Sequence, residues 1–555
     1  MKKRKIMSVL LSLTLVVTCF IGCGSTETSG PVSSNGKMDK TPITLTFFNC
    51  DLSEDMPFTD DVAEKIKELT GVTLKITHPV AGDTQSIPLM IASGDYPDLI
   101  FAKGDTGKLI DAGAIIQLDD YIEKNGQNLK NLYGDKLNRL KASKDDPHIY
   151  TVGTNGVDKK MYNPDGTLQI QNAVLKELGY PKISTLQDYE NAIKKYKEKY
   201  PEINGQKTIG MSLMASDWRW LITCGNIASA VAGIPDDGQF KIDDETQTAV
   251  YKYQLPELKE YFKWLCHMNA EGLLDPESFT QKEDTYKAKL SQGVVLGISD
   301  AKWDYDKVTT GLVGSGMEER TFAPLAVTLN ENCKAQCMKN YGYGGGWGVA
   351  ISSTSENKDR AFQFLDWLAS DEAQVLLNWG VEGKHYTVEN GVRTFKPEVQ
   401  EQKNTDKDFT KKTGIGRYIY PFPQRGNGAK DSTGNYYTSD SLESYIANYN
   451  SAEKETLAAY GKESWCDMFP QEEELGTSKH GQAWEYTIPS DSEIAIIEKK
   501  ADDYVQKAIT QAILGNESDF DAAWDKIQAD LKSYGIDKVN DGMSQLTKER
   551  IELWN

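Results

Sequence analysis

The chain has 555 residues and a formal charge of −20, with 82 acidic residues against 62 lysines and arginines. That length suffices for two substantial cores, and the charge argues against nucleic acid or anionic lipid as a partner of the folded part. Eight cysteines without regular spacing do not describe a disulfide framework.

The N-terminus opens with Lys2, Lys3, Arg4 and Lys5, then the apolar run "IMSVLLSLTLVVTCF", then "IGCGS". A basic patch before a short apolar run is a secretory leader, and the run is too short and wrongly flanked for a membrane span. Its ending resembles a bacterial lipobox, with Gly22 before Cys23, although the isoleucine and phenylalanine upstream depart from the usual residues. The resemblance implies a lipoprotein signal peptide over 1–22 and lipidation of Cys23, which anchors the mature chain to the membrane without spanning it. Loss of the four basic leader residues takes the net charge from −20 to −24. Residues 23–40, rich in Gly, Ser, Thr and Pro, cannot bury a core and read as a flexible tether.

Beyond the tether, "TPITLTFFNC" alternates as a strand. "FTDDVAEKIKELTG" has helical spacing at Val62, Ile66 and Leu69 and stops at Gly71, and "VTLKITHPV" returns to a strand. "DTQSIPLMIASGD" reads as a helix, "YPDLIFA" as a buried strand and "TGKLIDAGA" as another helix. Such alternation predicts a mostly parallel sheet covered by helices. Ligands of these sheets bind beyond the carboxyl ends of the strands, which singles out Asn49 and Asp51 after the first strand and Lys103 and Asp105 after "PDLIFA". Asp105 has a second reading as the cap of the helix that follows it, and Asp95 and Asp98 flank a tight turn as structural residues. Further on, "TLQDYENAIKKYKEKYP", "LPELKEYFKWLCHMNAEGLLDPE" and the closing "DFDAAWDKIQADLKSYGIDKVNDGMSQLTKERIELWN" read as amphipathic helices.

The glycine-rich "YGYGGGWGVAIS" at 341–352 has neither the GxxxxGK[ST] nor the GxGxxG spacing of a phosphate loop. Its glycines are better suited to close approach of backbone to a neighbour or ligand. The chain contains no GxSxG elbow and no HExxH motif. Cys333 and Cys337 could share a helical face, but the five histidines are scattered, so no metal site and no cofactor are expected.

Four segments, "ASGDYPDLIFAKGDTGKLIDAGAIIQLDDYI", "WLCHMNAEGLLDPESFTQKEDTYKAKLSQGVVLGISDAKW", "GYGGGWGVAISSTSENKDRAFQFLDWLASDEAQ" and "DFDAAWDKIQADLKSYGID", occur in this order behind the lipobox. Together they resemble the family 1 extracellular solute-binding proteins, the lipoprotein subunits that feed carbohydrate ABC importers. The resemblance implies an α/β, two-lobed, periplasmic-binding-protein-like fold of type II with the ligand cleft between the lobes. By pattern, the N-terminal lobe takes 41–168 and 345–420, and the C-terminal lobe takes 169–344 and 421–555. It also implies a non-catalytic monomer on the extracellular face of the bacterial cell membrane, with an oligosaccharide as ligand and ABC permease subunits as partners.

A sugar site needs flat rings for C–H faces and Asp, Asn, Lys or Arg for hydroxyls. Trp264, Trp367 and Trp524 lie in amphipathic helices and are expected to pack, as is Trp220. Trp218, Trp303 and Trp347 stand in non-periodic contexts, and the resemblance aligns Trp303 with a stacking tryptophan of maltose-binding-like relatives. With Tyr343 in the glycine run they complete the expected ligand set. Where some relatives carry a calcium loop, this chain reads "PEINGQKTIGMS", with Glu202 and Asn204 but too few oxygen ligands. An Arg-Lys-Asp-Trp run of relatives is replaced by "IQNAVL", which favours a neutral oligosaccharide over an anionic one. The alternatives are a peptide or other small organic solute as cargo, or an exported glycoside hydrolase, which would need two carboxylates about 5–10 Å apart across the site.

Overall fold

The computed structural model describes residues 38–80, 85–235, 238–345, 347–478, 480, 482–483, 488–489 and 491–555. The leader, Cys23 and most of the tether lie outside these residues. Two four-stranded sheets organise the chain. Their strands in chain order are β1 Ile43–Asn49, β2 Val72–Thr77, β3 Leu99–Phe101, β4 Thr167–Gln171, β5 Ile209–Ser212, β6 Val295–Asp300, β7 Phe322–Leu325 and β8 Val349–Ile351.

The first sheet has the order β8-β3-β1-β2, with β1 parallel to β2 and β3 and with β8 antiparallel to β3. Helix α1, Asp61–Thr70, makes the crossover. The Asp60 carboxylate accepts from Ala63 N at its start, and Gly71, at φ 71°, ends it with its N–H on Lys67 O. Val62, Ala63 and Ile66 of α1 are buried with Leu45, Phe47, Leu99 and Phe101 in the first core. Asp98 ties the turn before β3 to its surroundings, accepting from Thr46 N and Oγ1, Ser355 Oγ and Asn357 Nδ2. These bonds hold its carboxyl below the ordinary range even though burial opposes them.

The second sheet has the order β7-β4-β6-β5, in which β6 is parallel to β5 and antiparallel to β4, and β7 is antiparallel to β4. Helix α2, Leu186–Lys199, begins with a Thr185–Asp188 capping box, and α3, Pro256–Ala270, with proline in its first turn. Helix α4, Lys302–Gly314, follows β6 directly. Three closing helices, α5 Glu493–Ile513, α6 Phe520–Tyr534 and α7 Ile536–Trp554, complete this lobe. Val505, Ile509, Trp524, Ile536 and Val539 join its core. Trp220 lies in the same core, 3% exposed, and Trp264 packs against it.

The chain passes between the cores before β4, between Val327 and Tyr343, and again before Tyr449. The last passage lies further along than the pattern-based boundary at 420. Phe422 belongs to the first core, Gln424–Arg425 pair with Gly156–Val157, and Tyr437 Oη donates to Asp371. Aromatic anchoring of an irregular stretch leaves no periodic signal, so the boundary could not be read from spacing. At the other end, Thr167 and Leu168 belong to the second sheet and not to the first lobe.

The glycine run precedes β8. A Cβ on Gly348 would lie 2.8–2.9 Å from backbone atoms of Val152, whose N and O pair with Val349. These glycines serve close backbone packing.

Candidate functional site

Strand direction collects the site. Asn49 and Asp51 stand at the carboxyl end of β1, and Lys103 stands just past that of β3. Because β8 is antiparallel and Val349 faces Phe101, the residue two before it, Trp347, emerges at the same edge. In the second lobe, β5 and β6 are parallel, so the loop carrying Trp218 and the start of α4 carrying Trp303 also share one edge.

Lys103 adopts a left-handed backbone, φ 52°, uncommon for a residue with a side chain. Its ammonium donates to Asp51 at 3.0 Å and lies 5.5 Å from the Trp218 ring and 5.2 Å from the Trp347 ring. A first-lobe cation therefore touches a second-lobe aromatic across the cleft. Asp51 also accepts from Tyr420 Oη at 2.6 Å. Burial, followed by this carboxylate, pushes the Tyr420 phenol above its ordinary range. Asn49 is buried, and its Oδ1 accepts from Asp51 N at 3.0 Å, so it positions the carboxylate.

Trp218, Trp303 and Trp347 remain 54%, 55% and 42% exposed, which is unusual for the largest apolar side chain. Trp218 and Trp303 lie parallel, 3° between planes, with centroids 6.0 Å apart. A sugar ring between two faces would need about 7–8 Å, at 3.5–4.0 Å per contact. The pair is thus a stacked aromatic platform whose rings are too close together to sandwich a sugar. The Arg219 guanidinium lies 5.0 Å from the Trp218 ring and pairs with Asp217, Glu283 and Asp304 at 2.8, 2.5 and 3.1 Å. Below it, Asp300 accepts from Tyr286 Oη and from Ala301 N. Burial, and then the Asp304 carboxylate, push the Asp300 carboxyl up to about 8.

One expected site residue is turned into the core, and a second lies beside Lys103 in a local pair. Tyr343 is 4% exposed, packs in the first core against Tyr133, and has its carbonyl taken by Arg139, so its ring is not presented to the cleft. Asp105 pairs with Lys108 at 2.8 Å and makes no cap bond to the helix after it. Tyr420 and Arg219 were missed. Tyr420 sits in "IYPFP", where an aromatic beside proline at a crossing was the available signal, whereas nothing in the spacing marked Arg219.

Glu202–Ile203 and Gln206–Lys207 form a hairpin turned by Asn204 and Gly205, both at positive φ. Among the described residues no group of three or more His, Cys, Asp or Glu is arranged to hold a metal ion. Cys50, Cys224, Cys266, Cys333, Cys337 and Cys466 are all free thiols.

A family model described as bacterial extracellular solute-binding protein matches residues 61–380. The chain belongs to that family. Among its relatives, Lipoprotein LipO of Bacillus subtilis is 24% identical over 399 residues, 69% of this chain and 74% of LipO. The fructooligosaccharide ABC transporter substrate-binding protein FusA of Streptococcus pneumoniae is 24% identical over 395 residues, 68% of this chain and 70% of FusA. Solved structures share the two-lobed α/β fold of this solute-binding family. FusA from S. pneumoniae, as an EF-hand mutant with fructo-nystose, matches at TM-score 0.67 and 18% identity, over 91% of this chain and 99% of that one. The alginate-binding protein AlgQ2 without calcium ion matches at TM-score 0.65 and 19% identity, over 93% and 99%. FusA and AlgQ2 are both named as binding proteins. Among the described residues no helix is long and apolar enough to cross a membrane.

Proposed function

We propose that this chain is the membrane-anchored extracellular receptor of an ABC importer, capturing a neutral oligosaccharide between its lobes and handing it intact to the permease. The observation that carries this reading is the convergence of two exposed tryptophans from opposite sides of the cleft, Trp218 and Trp347, on the Lys103–Asp51 pair, with the exposed Trp303 stacked on Trp218. Flat apolar faces beside one cation and one carboxylate suit the two surfaces of a sugar, its C–H face and its hydroxyl rim. Trp218, Trp303 and Trp347 stack, Asp51, Lys103 and Tyr420 pair with hydroxyls, and Asn49 holds Asp51.

Neutral cargo is favoured because the cations nearest the platform are already matched. Lys103 faces Asp51, Arg219 faces three carboxylates, and Lys287 pairs with Glu283 and Asp304. The fructooligosaccharide named for FusA supports an oligosaccharide here and makes short fructans the first ligands to try. Lipidation of Cys23 fits the lipobox and the lipoprotein relative. The mature chain would work as a monomer, captured sugar stabilising the closed arrangement by its differential affinity.

Calorimetric titration of the protein from Thr41 onward with kestose, nystose and other neutral plant and storage oligosaccharides tests this, with chromatography of each sugar afterwards. One glycan bound tightly and recovered intact is the expected result. Silence across the panel with binding of peptides would replace the cargo, and cleavage of a sugar would replace the receptor by a hydrolase.

A further inference from the structure

We propose that Arg219 is a positioning residue that locks Trp218 and Trp303 into one platform and thereby sets the affinity of the second lobe for sugar. The second half of this statement rests on the sugar-receptor reading; the first half does not.

The two tryptophans come from separate segments 85 positions apart, one in an irregular loop after β5 and one at the start of α4. Exposed on more than half of their surface, they are held by their mutual stack and, at Trp218, by the Lys103 and Arg219 cations. The charged group that bears on both segments is Arg219. Arg219 follows Trp218, and its Nε lies 3.1 Å from Oδ2 of Asp304, the residue after Trp303, as a charge contact outside hydrogen-bond geometry. It also pairs with Asp217, the residue before Trp218, and with Glu283 from the helix Glu283–Ser291. Lys287 closes the ring from that same helix, pairing with Glu283 at 2.5 Å and Asp304 at 3.1 Å.

The Arg219–Asp304 pair is largely withdrawn from water, at 12% and 3% side-chain exposure, whereas Asp217 and Glu283 keep more than a third of theirs. Such buried pairs contribute little net stability, since desolvation offsets much of the attraction, and their best-attested use is to fix register. Arginine suits this task because its planar fork can hold several carboxylates in fixed directions, which the single ammonium of lysine cannot. The guanidinium also lies 5.0 Å from the Trp218 ring, so the group that anchors Asp304 bears on the platform itself.

Protein labelled with 5-fluorotryptophan gives a ligand-free readout, with resonances assigned by Trp218→Phe, Trp303→Phe and Trp347→Phe. Trp303 has no ring contact with the guanidinium, so its resonance reports transmitted position and not direct contact. Arg219→Met is expected to move or broaden the Trp303 resonance, leave that of Trp347 in place, and raise the Kd for the tightest glycan of the panel about tenfold, equivalent to about 1.4 kcal/mol. Arg219→Lys should recover part of both effects. Should Arg219→Met not fold, Glu283→Gln keeps the arginine and loosens its bracket, and a smaller shift of the Trp303 resonance is expected. A Trp303 resonance unmoved in the folded variants, or lost affinity without any movement of it, overturns the proposal. Absence of glycan binding by the unsubstituted protein would instead count against the sugar reading alone.

Discussion

Trp303 stands three residues beyond the end of β6, where the strand's direction delivers it to the cleft edge. A platform tryptophan of this size is the kind of residue whose truncation dominates a binding site. Trp303→Ala should raise the Kd for the bound glycan roughly thirtyfold, about 2 kcal/mol, without lowering Tm appreciably, because so much of the ring is already in water. Calorimetry and a melting curve on one sample check both halves. Asp300, three residues earlier, supplies a second residue-scale test. The folded protein keeps its carboxyl protonated up to about pH 8, whereas the unfolded chain releases that proton near pH 4. Between these values unfolding releases a proton, so Asp300 lowers stability as pH rises, and above pH 8 it adds no further slope. Asp300→Asn should therefore flatten the fall of Tm between about pH 5 and 8 relative to the unsubstituted protein, and parallel curves would contradict this. At this scale the exposure of Trp218, Trp303 and Trp347 agrees with their separation from the packing tryptophans, although Trp303 stands in the first turn of α4 and not in a loop. Tyr343 looked equivalent in its glycine run, yet its ring turns into the first core, a choice made by side-chain direction that spacing does not encode.

At the scale of elements, the segment before β8 and the last helix carry the constraints. Alanine at Gly348 would place a methyl 2.8–2.9 Å from the Val152 backbone, where no flexible side chain can give way. Gly348→Ala should cost about 1–3 kcal/mol through this overpacking, read as a lowered urea midpoint. Helix α7 belongs to the second core, but its last turns reach the first lobe. Arg550 Nη1 donates to the carbonyls of Lys141 and Ala142 at 2.8 Å each, Glu552 pairs with Lys144, and Trp554 lies under Arg139. Arg550→Ala would leave two carbonyls without their charged donor, at about 1–3 kcal/mol each where water cannot replace it. Faster amide exchange across 134–144, with little change in α5, is the expected signature, and uniform acceleration would contradict it. The first βαβ unit was readable because its strand and helix periods alternate cleanly and Gly71 ends the helix. Helix α5, with its 21 residues, escaped the pattern reading although it is as amphipathic as α6 and α7.

The whole molecule puts these pieces into one arrangement. Two sheets, each presenting the carboxyl ends of parallel strands, face each other so that Lys103 of one lobe meets Trp218 of the other. The α/β class followed from alternation and the two lobes from the family resemblance, and the strand-end rule pointed to Asn49, Asp51 and Lys103. Lobe boundaries were less legible, because the segment after Tyr420 is held to the first lobe by Phe422, Arg425 and Tyr437 and not by any periodic element. Acidity is a property of the whole surface and says little about the cleft, where cations and carboxylates are matched pair by pair. The most direct test of the account is a crystal structure of the protein from Thr41 onward grown with the tightest-binding oligosaccharide. The account predicts one glycan between the lobes, a ring face on the Trp218–Trp303 platform, another surface against Trp347, and hydroxyls paired with Asp51 and Lys103. A glycan bound outside the cleft, or a closed cleft holding a peptide in its place, would contradict it.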